Sequence, residues 1–325
     1  MLSTVFDKKR GLAVNGEGEY LNEWQLFEDC PGVYNAWDIV RTFENKRIDL
    51  PRWENIIVCE NGPVSAAVRM ERRFGSSYAV QIVRLWRHTA RIDFDTWVDW
   101  HEDQKLLKTA FPLNVHARTY SADTSAGVIE RMNNQNTSWE QARFEVPCHK
   151  WVDLSEGLFG VAILNDCKYG CDVRDNTIRL SLLRATIRPD RESDRGEHRF
   201  AYAICPHGPS WQLDNIAGLA YDLNEPLTLY PGAAKHDGKN WLNISVQALQ
   251  LQAMKQAEDG SGDILVRLTE IYGSRGVACV TPGFAFGKAY LCNMLEEIET
   301  ALTVTNGSVN LPYQTNEILT VRFVP

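Results

Sequence analysis

Apolar and polar side chains alternate along much of this chain, and the spacing of a long helix is nearly absent. The clearest case is residues 91–100. Ile92, Phe94, Thr96, Val98 and Trp100 fall on one face, and Arg91, Asp93, Asp95, Trp97 and Asp99 on the other. Successive side chains of a pleated strand point to opposite faces, so this pattern predicts a strand packed on a core by one side only. Residues 78–86 and 177–183 also read as strands, being rich in β-branched, aromatic and leucine residues. Residues 263–272 and 317–324 repeat the pattern, and the turn-forming DGSG at 259–262 precedes the first of them. Residues 287–302 are ambiguous and admit a short helix. Strand-like segments punctuated by Gly, Asn, Asp and Pro predict an all-β sandwich architecture. The polar, turn-rich stretch at 230–239 is the expected boundary. It divides a large β domain over 1–230 from a smaller one over 240–325, with 231–239 as linker.

Composition narrows the class. Lys and Arg number 34 against 42 Asp and Glu, a net charge of −8, with 44% hydrophobic and 23% charged residues in 325. That is an ordinary globular composition. An acidic balance argues against nucleic acid and anionic membranes as partners, since both are bound by clustered cations. No apolar run approaches the roughly 20 residues needed to span a bilayer. The first twenty residues carry charges where a signal peptide would be apolar, so a cytoplasmic location is expected.

The candidate chemistry is sparse. Eight cysteines imply no disulfide scaffold, and Cys167, Cys171, Cys205 and His207 lack the paired spacing of a structural zinc site. Reduced cysteine acting as a small hydrophobe is the simpler reading. Asp93, Asp95 and Asp99 beside Trp97 would suit a sugar, yet alternating acids opposite an apolar face are expected to be a solvated sheet surface. No phosphate-binding loop and no nucleophile elbow is present.

The densest stretch is residues 136–170, NTSWEQARFEVPCHKWVDLSEGLFGVAILNDCKYG. Residues 160–164 read as an apolar strand and 165–170 as the turn after it. His149, Trp151, Asp153, Asn165, Lys168 and Tyr169 either line a polar pocket with aromatic walls or form a structural network in which His149 and Trp151 belong to the core. The residues alone leave both open.

This stretch resembles the C-terminal half of the glycoside hydrolase family 38 α-mannosidases, of the cytosolic and vacuolar branch. The similarity extends to FDKKRG near the start, FEDCPGVYNAWDIV, RIDFDTWVDWHEDQKLLKTAFPLNV, TIRLSLLRAT, GEHRFAYAICPHG, LNEPL, ILVRLTEIYG and NEILTVRF, all in the expected order. The resemblance implies a large super-sandwich domain of galactose-mutarotase-like architecture followed by a smaller C-terminal β-sandwich. It also implies that the chain corresponds to about the last third of such an enzyme. The α/β catalytic domain, with its zinc ligands and Asp nucleophile, would precede it.

By this resemblance the chain holds no catalytic residue, metal ligand or cofactor of its own, and zinc is expected in the missing catalytic domain. The expected partners are that catalytic domain, a mannose-containing oligosaccharide and, through surface left exposed, a second copy of the chain. His149, Trp151, Asp153, Asn165, Lys168 and Tyr169 are the residues expected to border the substrate cleft. Two alternatives stand beside this reading. One is a free-standing carbohydrate-binding module. The other is a mutarotase-like epimerase using His149 and Glu145, four residues apart and on one face if they share a strand.

Overall fold

The computed structural model describes residues 1–32, 35–229, 231–232 and 240–325. The expected boundary at 230–239 lies largely outside them. The chain divides into two compact units. One comprises residues 1–123 and 129–227, the other residues 124–128 and 228–325.

The large unit is a two-sheet sandwich. Its nine-stranded sheet runs in the order Gly127–Met132, Thr119–Thr124, Trp151–Ser155, Gly160–Asn165, Gly196–His207, Ile92–Trp100, Ser77–Trp86, Ser65–Phe74, Glu54–Asn61. Facing it is a six-stranded sheet whose central members are Gly170–Arg174, Thr177–Arg184, Lys105–Pro112 and Glu23–Glu28. Side chains from both inner faces interdigitate. Phe94 meets Phe111 at 6.0 Å between ring centroids, and Phe111 meets Tyr202 at 6.2 Å.

The strand Ile92–Trp100 is laid down as its alternation predicts, with Ile92, Phe94, Thr96, Val98 and Trp100 buried. The acidic face departs from the expectation in one position. Asp93 is buried as well, ion-paired with Arg91 at 2.7 Å and accepting from Trp86 Nε1 at 2.6 Å. Asp95 pairs with Arg84, and Asp99 lies 2.7 Å from His101 Nε2. Each acid is therefore engaged by a neighbouring side chain, Asp95 across the strands and Asp93 and Asp99 along their own segment, and the row is not simply solvated.

Gly160–Asn165 is buried at every position. One side chain in two faces the sandwich core, and the others are covered from outside by the helix Ile216–Asn224, which buries Ile216, Ala217 and Ala220 against it. Burial on both sides explains a continuous apolar run where an exposed sheet would alternate.

A polar knot ties the two sheets inside the core. Tyr202 Oη donates to Asn22 Oδ1 at 2.6 Å and accepts from Gln81 Nε2 at 2.8 Å and Trp24 Nε1 at 3.0 Å. Gln81 accepts from Asn22 and donates to Thr96, while Thr109 donates to Asn22 Oδ1. Burial, outweighing these bonds, pushes the Tyr202 hydroxyl up to about 12, so it stays a donor at neutral pH. Tyr202→Phe leaves the Trp24 donor without its acceptor. The expected loss is about 1–3 kcal/mol, read from the denaturant midpoint of the large unit; an unchanged midpoint would show that the knot adds nothing to stability.

The small unit is also a sandwich. Four strands run in the order Leu242–Ile244, Gly276–Pro282, Ser308–Tyr313, Val304–Thr305, and five in the order Leu249–Gln256, Ile264–Glu270, Ile318–Val324, Lys288–Cys292, Ile298–Leu302. Its core gathers Val266, Leu268, Val280, Leu311, Val321 and Phe323. Gly260 and Gly262 take φ of +74° and +84° in the turn before Ile264–Glu270, as the DGSG sequence requires. Residues 287–302 form no helix. They make the hairpin Lys288–Cys292/Ile298–Leu302, with Asn293 Oδ1 accepting from the backbone of Leu295 and Glu297 in its loop. A side-chain-organised turn thus ends the first strand where the sequence shows no Gly or Pro.

Candidate functional site

The outer face of the nine-stranded sheet carries the polar and aromatic groups that the sequence marks as candidates for chemistry. At one end the helix Ile216–Asn224 covers it; nearer the middle it is open.

Under the covered end sit Trp151 and Asp153. Trp151 is 1% exposed and packs on Trp211 with ring centroids 4.7 Å apart. Asp153 Oδ2 lies 2.6 Å from His207 Nε2, and Asp153 Oδ1 accepts from Ser155 Oγ at 2.7 Å. Both members of the pair are 2% exposed. Cross-strand register explains the meeting. Asp153 faces Ala162, which faces Cys205; Ser155 faces Gly160, which faces His207. The imidazole reaches diagonally over the intervening strand because Gly160 has no side chain. A Cβ there would come within 2.7 Å of His207 Nε2 and closer still to Cε1 and to Ser155 Oγ.

The other four candidates lie elsewhere. Asn165 is fully buried and organises the turn after its strand. Its Nδ2 donates to His149 O at 2.7 Å, its Oδ1 accepts from Lys168 N at 2.9 Å, and its carbonyl accepts from Asn224 Nδ2. Lys168 Nζ rests over the Phe200 ring, 4.4 Å from its centroid, and burial lowers its pKa. His149 and the half-exposed Tyr169 are in contact, their rings tilted by 40° with centroids 5.2 Å apart. The six candidates thus fall into four settings rather than one pocket, three of them linked through the Asn165 side chain.

The His149–Glu145 pair of the epimerase alternative is not assembled. The short strand there is only Val146–Pro147, so the two residues share no strand. The Glu145 carboxylate is engaged by Lys108 at 2.5 Å and by Ser181. The cysteines fit a metal no better. Cys171 is buried in the six-stranded sheet, its pKa raised by a hydrogen bond to Cys148 and by burial. Burial pushes Cys205, in the other sheet, up to about 12, and His207 is held by Asp153. Among the described residues no three His, Cys, Asp or Glu side chains converge.

The open part of the face holds a cleft of about 520 Å³ lined by Val80, Ile82, Asp95, Trp97, Asp166 and Arg199 among others. Trp97 Nε1 donates to Glu197 at 3.1 Å, and its ring meets Tyr78 edge-on at 5.9 Å. Asp166 Oδ2 accepts from Ala201 N, while its buried Oδ1 has no hydrogen-bond partner among the described residues. An aromatic surface between carboxylates and a guanidinium has the makings of a polyol site. The sequence points to Trp97 and Asp95, but Asp166 is brought to them only by the turn after Gly160–Asn165. His207 was likewise illegible as a partner of Asp153, 54 residues away.

Two family models match the chain. The C-terminal domain of glycosyl hydrolases family 38 covers residues 1–192, and the family's C-terminal beta sandwich domain covers residues 248–321. Alpha-mannosidase 2C1 of Homo sapiens is 35% identical over 316 residues, spanning 95% of this chain. Alpha-mannosidase G of Dictyostelium discoideum is 33% identical over 326 residues, spanning 96%. In both cases the chain spans 30% of the relative's length. An alpha-mannosidase from Enterococcus faecalis V583 superposes with a TM-score of 0.79 at 20% identity, over 98% of this chain and 40% of that one, which speaks to the fold. With the large sandwich and the small one each matched in order along its length, the chain belongs to glycosyl hydrolase family 38, as its C-terminal β domains.

Proposed function

We propose that this chain serves an α-mannosidase as its non-catalytic β region, stabilising a separate α/β catalytic part and bordering its substrate cleft. The observation that carries the reading is the share of length. The chain aligns from end to end with α-mannosidases, yet with less than a third of each. Zinc and the nucleophile would belong to the catalytic part, and a mannose-terminated oligosaccharide in the cytoplasm would be the substrate. Of the six candidates, His149 and Tyr169 are best placed to reach a ligand. Asp153 and Trp151 are buried, and Asn165 spends its polar atoms on the backbone.

The test is hydrolysis of an aryl α-mannoside by the purified chain, with and without added zinc. No turnover is expected from the chain alone, and turnover is expected once the preceding part of a family member is supplied. Zinc-dependent turnover by the chain itself would overturn the reading. The Trp97 cleft favours a second reading, a mannoside-binding module. Saturable, zinc-independent mannoside binding lost in Trp97→Ala would decide for it.

A further inference from the structure

Three N–H donors without acceptors gather at one corner of the large sandwich. Arg72 lies beside Met70 and Phe74 on the buried side of the strand Ser65–Phe74 and is 3% exposed. Its guanidinium rests over the Trp53 ring, 4.3 Å from the centroid, and 5.8 Å from that of Trp24. Among the described residues it makes no ion pair, and its Nε and Nη1 have no hydrogen-bond partner. The indole Nε1 of buried Trp53 has none either. The Met1 amine adds a second cation near Arg72, and burial together with that neighbour brings its pKa down to about 6. Glu23 is the carboxylate that both cations feel, but it is spent on Arg47 at 2.8 Å and on Gln25 at 2.7 Å. Buried donors of this kind are costly when unmatched, so the corner lacks an oxygen acceptor.

The same corner is bounded by an apolar edge. Trp53 leads directly into Glu54–Asn61, the last strand of the nine-stranded order, and Glu54 is in register with Glu71, next to Arg72. Every position of that strand except Glu60 is exposed, and Ile56, Ile57 and Val58 stand open in a row. Such an edge calls for a cover. Breaks in register between Glu54 and Ile57 and between Val58 and Glu60 bend the strand and oppose addition of another, so the cover would pack through side chains. A second copy fits poorly. Reversed pairing of the stripe with itself sets Glu54 against Glu60, in a chain of net charge −8. A part joined ahead of Met1 would instead enter beside Arg72. The α-mannosidase relatives, of whose length this chain spans 30%, have ample chain to form such a part.

We infer that the catalytic part of an α-mannosidase docks at this corner, seating a carboxylate on Arg72 and Trp53 and apolar side chains on Ile56, Ile57 and Val58. The inference rests on the mannosidase reading and names the surface through which the two parts meet.

The test is association of the purified chain with the preceding part of a family member, supplied in trans and followed by sedimentation velocity and by turnover of an aryl α-mannoside. Arg72→Met and Val58→Asp are each expected to weaken association at least tenfold. Leu158→Asp, in the exposed turn joining Trp151–Ser155 to Gly160–Asn165 and far along the sheet, should leave it unchanged. Val58 is exposed, so Val58→Asp should melt with the unmodified chain. Arg72→Met removes an unmatched buried cation and should leave the melting temperature of the isolated chain unchanged or raise it. A lower melting temperature there would overturn the role given to Arg72. Unchanged association in Arg72→Met or Val58→Asp, equal weakening in Leu158→Asp, or a dimer of the chain dissolved by Val58→Asp would each overturn the docking surface. Absence of both association and turnover with the unmodified chain would overturn the mannosidase reading itself.

Discussion

Lys108→Ala is expected to destabilise the large unit by about 3–5 kcal/mol, measured as the loss of unfolding free energy in denaturant at neutral pH. The ammonium of Lys108 is fully buried and lies 2.5 Å from Glu145, 2.9 Å from Asp172 and 2.9 Å from Ser181 Oγ. Arg179 binds Asp172 at 2.7 Å and also Glu44, whose other oxygen takes Arg174 at 2.5 Å. Removing the central cation leaves two carboxylates out of water without it, and their desolvation is no longer offset. Lys108→Met, which keeps the aliphatic volume, separates charge from packing. It should recover only a minor part of the loss.

The pH dependence follows from the same contacts. Burial works against the charge of Asp172, but Lys108 and Arg179 outweigh it and hold its pKa below the ordinary value. Its contribution is present above about pH 4 and is lost as pH falls through the depressed pKa. Burial likewise opposes the charge of Lys108, and Asp172 and Glu145 overcome it and raise its pKa. That contribution is present below about pH 10 and is lost as pH rises through the raised value. The deficit of Lys108→Ala should therefore be flat across this window and shrink towards acid pH. A deficit below about 1 kcal/mol at pH 7 would place the cluster among weak surface pairs instead.

Lys108 also shows where a sequence stops being legible. In the strand Lys105–Pro112, Leu107 and Phe111 enter the sandwich core, and Lys108 falls on the opposite face. What the local pattern cannot show is that Phe43, some sixty residues earlier, covers that outer face. It packs there with Phe27, Leu106 and Phe144, with Lys108 Nζ 5.6 Å from the Phe43 ring. The same limit applies to Asp93, which alternation places outside and Trp86 and Arg91 enclose. Strands were legible because a period of two is local. Residues 91–100, 177–183 and 317–324 are all found as strands. The helix Ile216–Asn224 left no such signal, being a short segment whose apolar residues are mostly alanine and leucine with a Gly inside it. The candidate site was legible only as a list of residues. Its members were sorted into the His207 pair, the Asn165 turn, the Phe200 contact and the His149–Tyr169 contact by pairings across strands and loops, which a sequence does not display.

Asp153 is where that sorting can be tested most sharply. Asp153→Ala would leave the His207 ring buried with neither nitrogen partnered and Ser155 Oγ without its acceptor, so a loss of about 3 kcal/mol is expected in the denaturant midpoint. Asp153→Asn preserves shape and a carbonyl oxygen that can accept from Nε2–H, and should cost about 1 kcal/mol. Gly160→Ala attacks the same pair from the other side. A methyl group in the space that the imidazole and Ser155 Oγ share should cost about 1–3 kcal/mol, with part of it regained in Gly160→Ala/Ser155→Ala as one of the two obstructions is removed. A residue kept for a ligand behaves in the opposite way. Its replacement tends to leave stability unchanged or to raise it, because such sites hold polar groups that the fold itself does not need. Stability equal to or above that of the unmodified chain in Asp153→Ala would therefore transfer Asp153 from the scaffold to the binding surface. A loss shared by Asp153→Ala and His207→Ala, and not enlarged in the double variant, would show the two side chains acting as one structural unit.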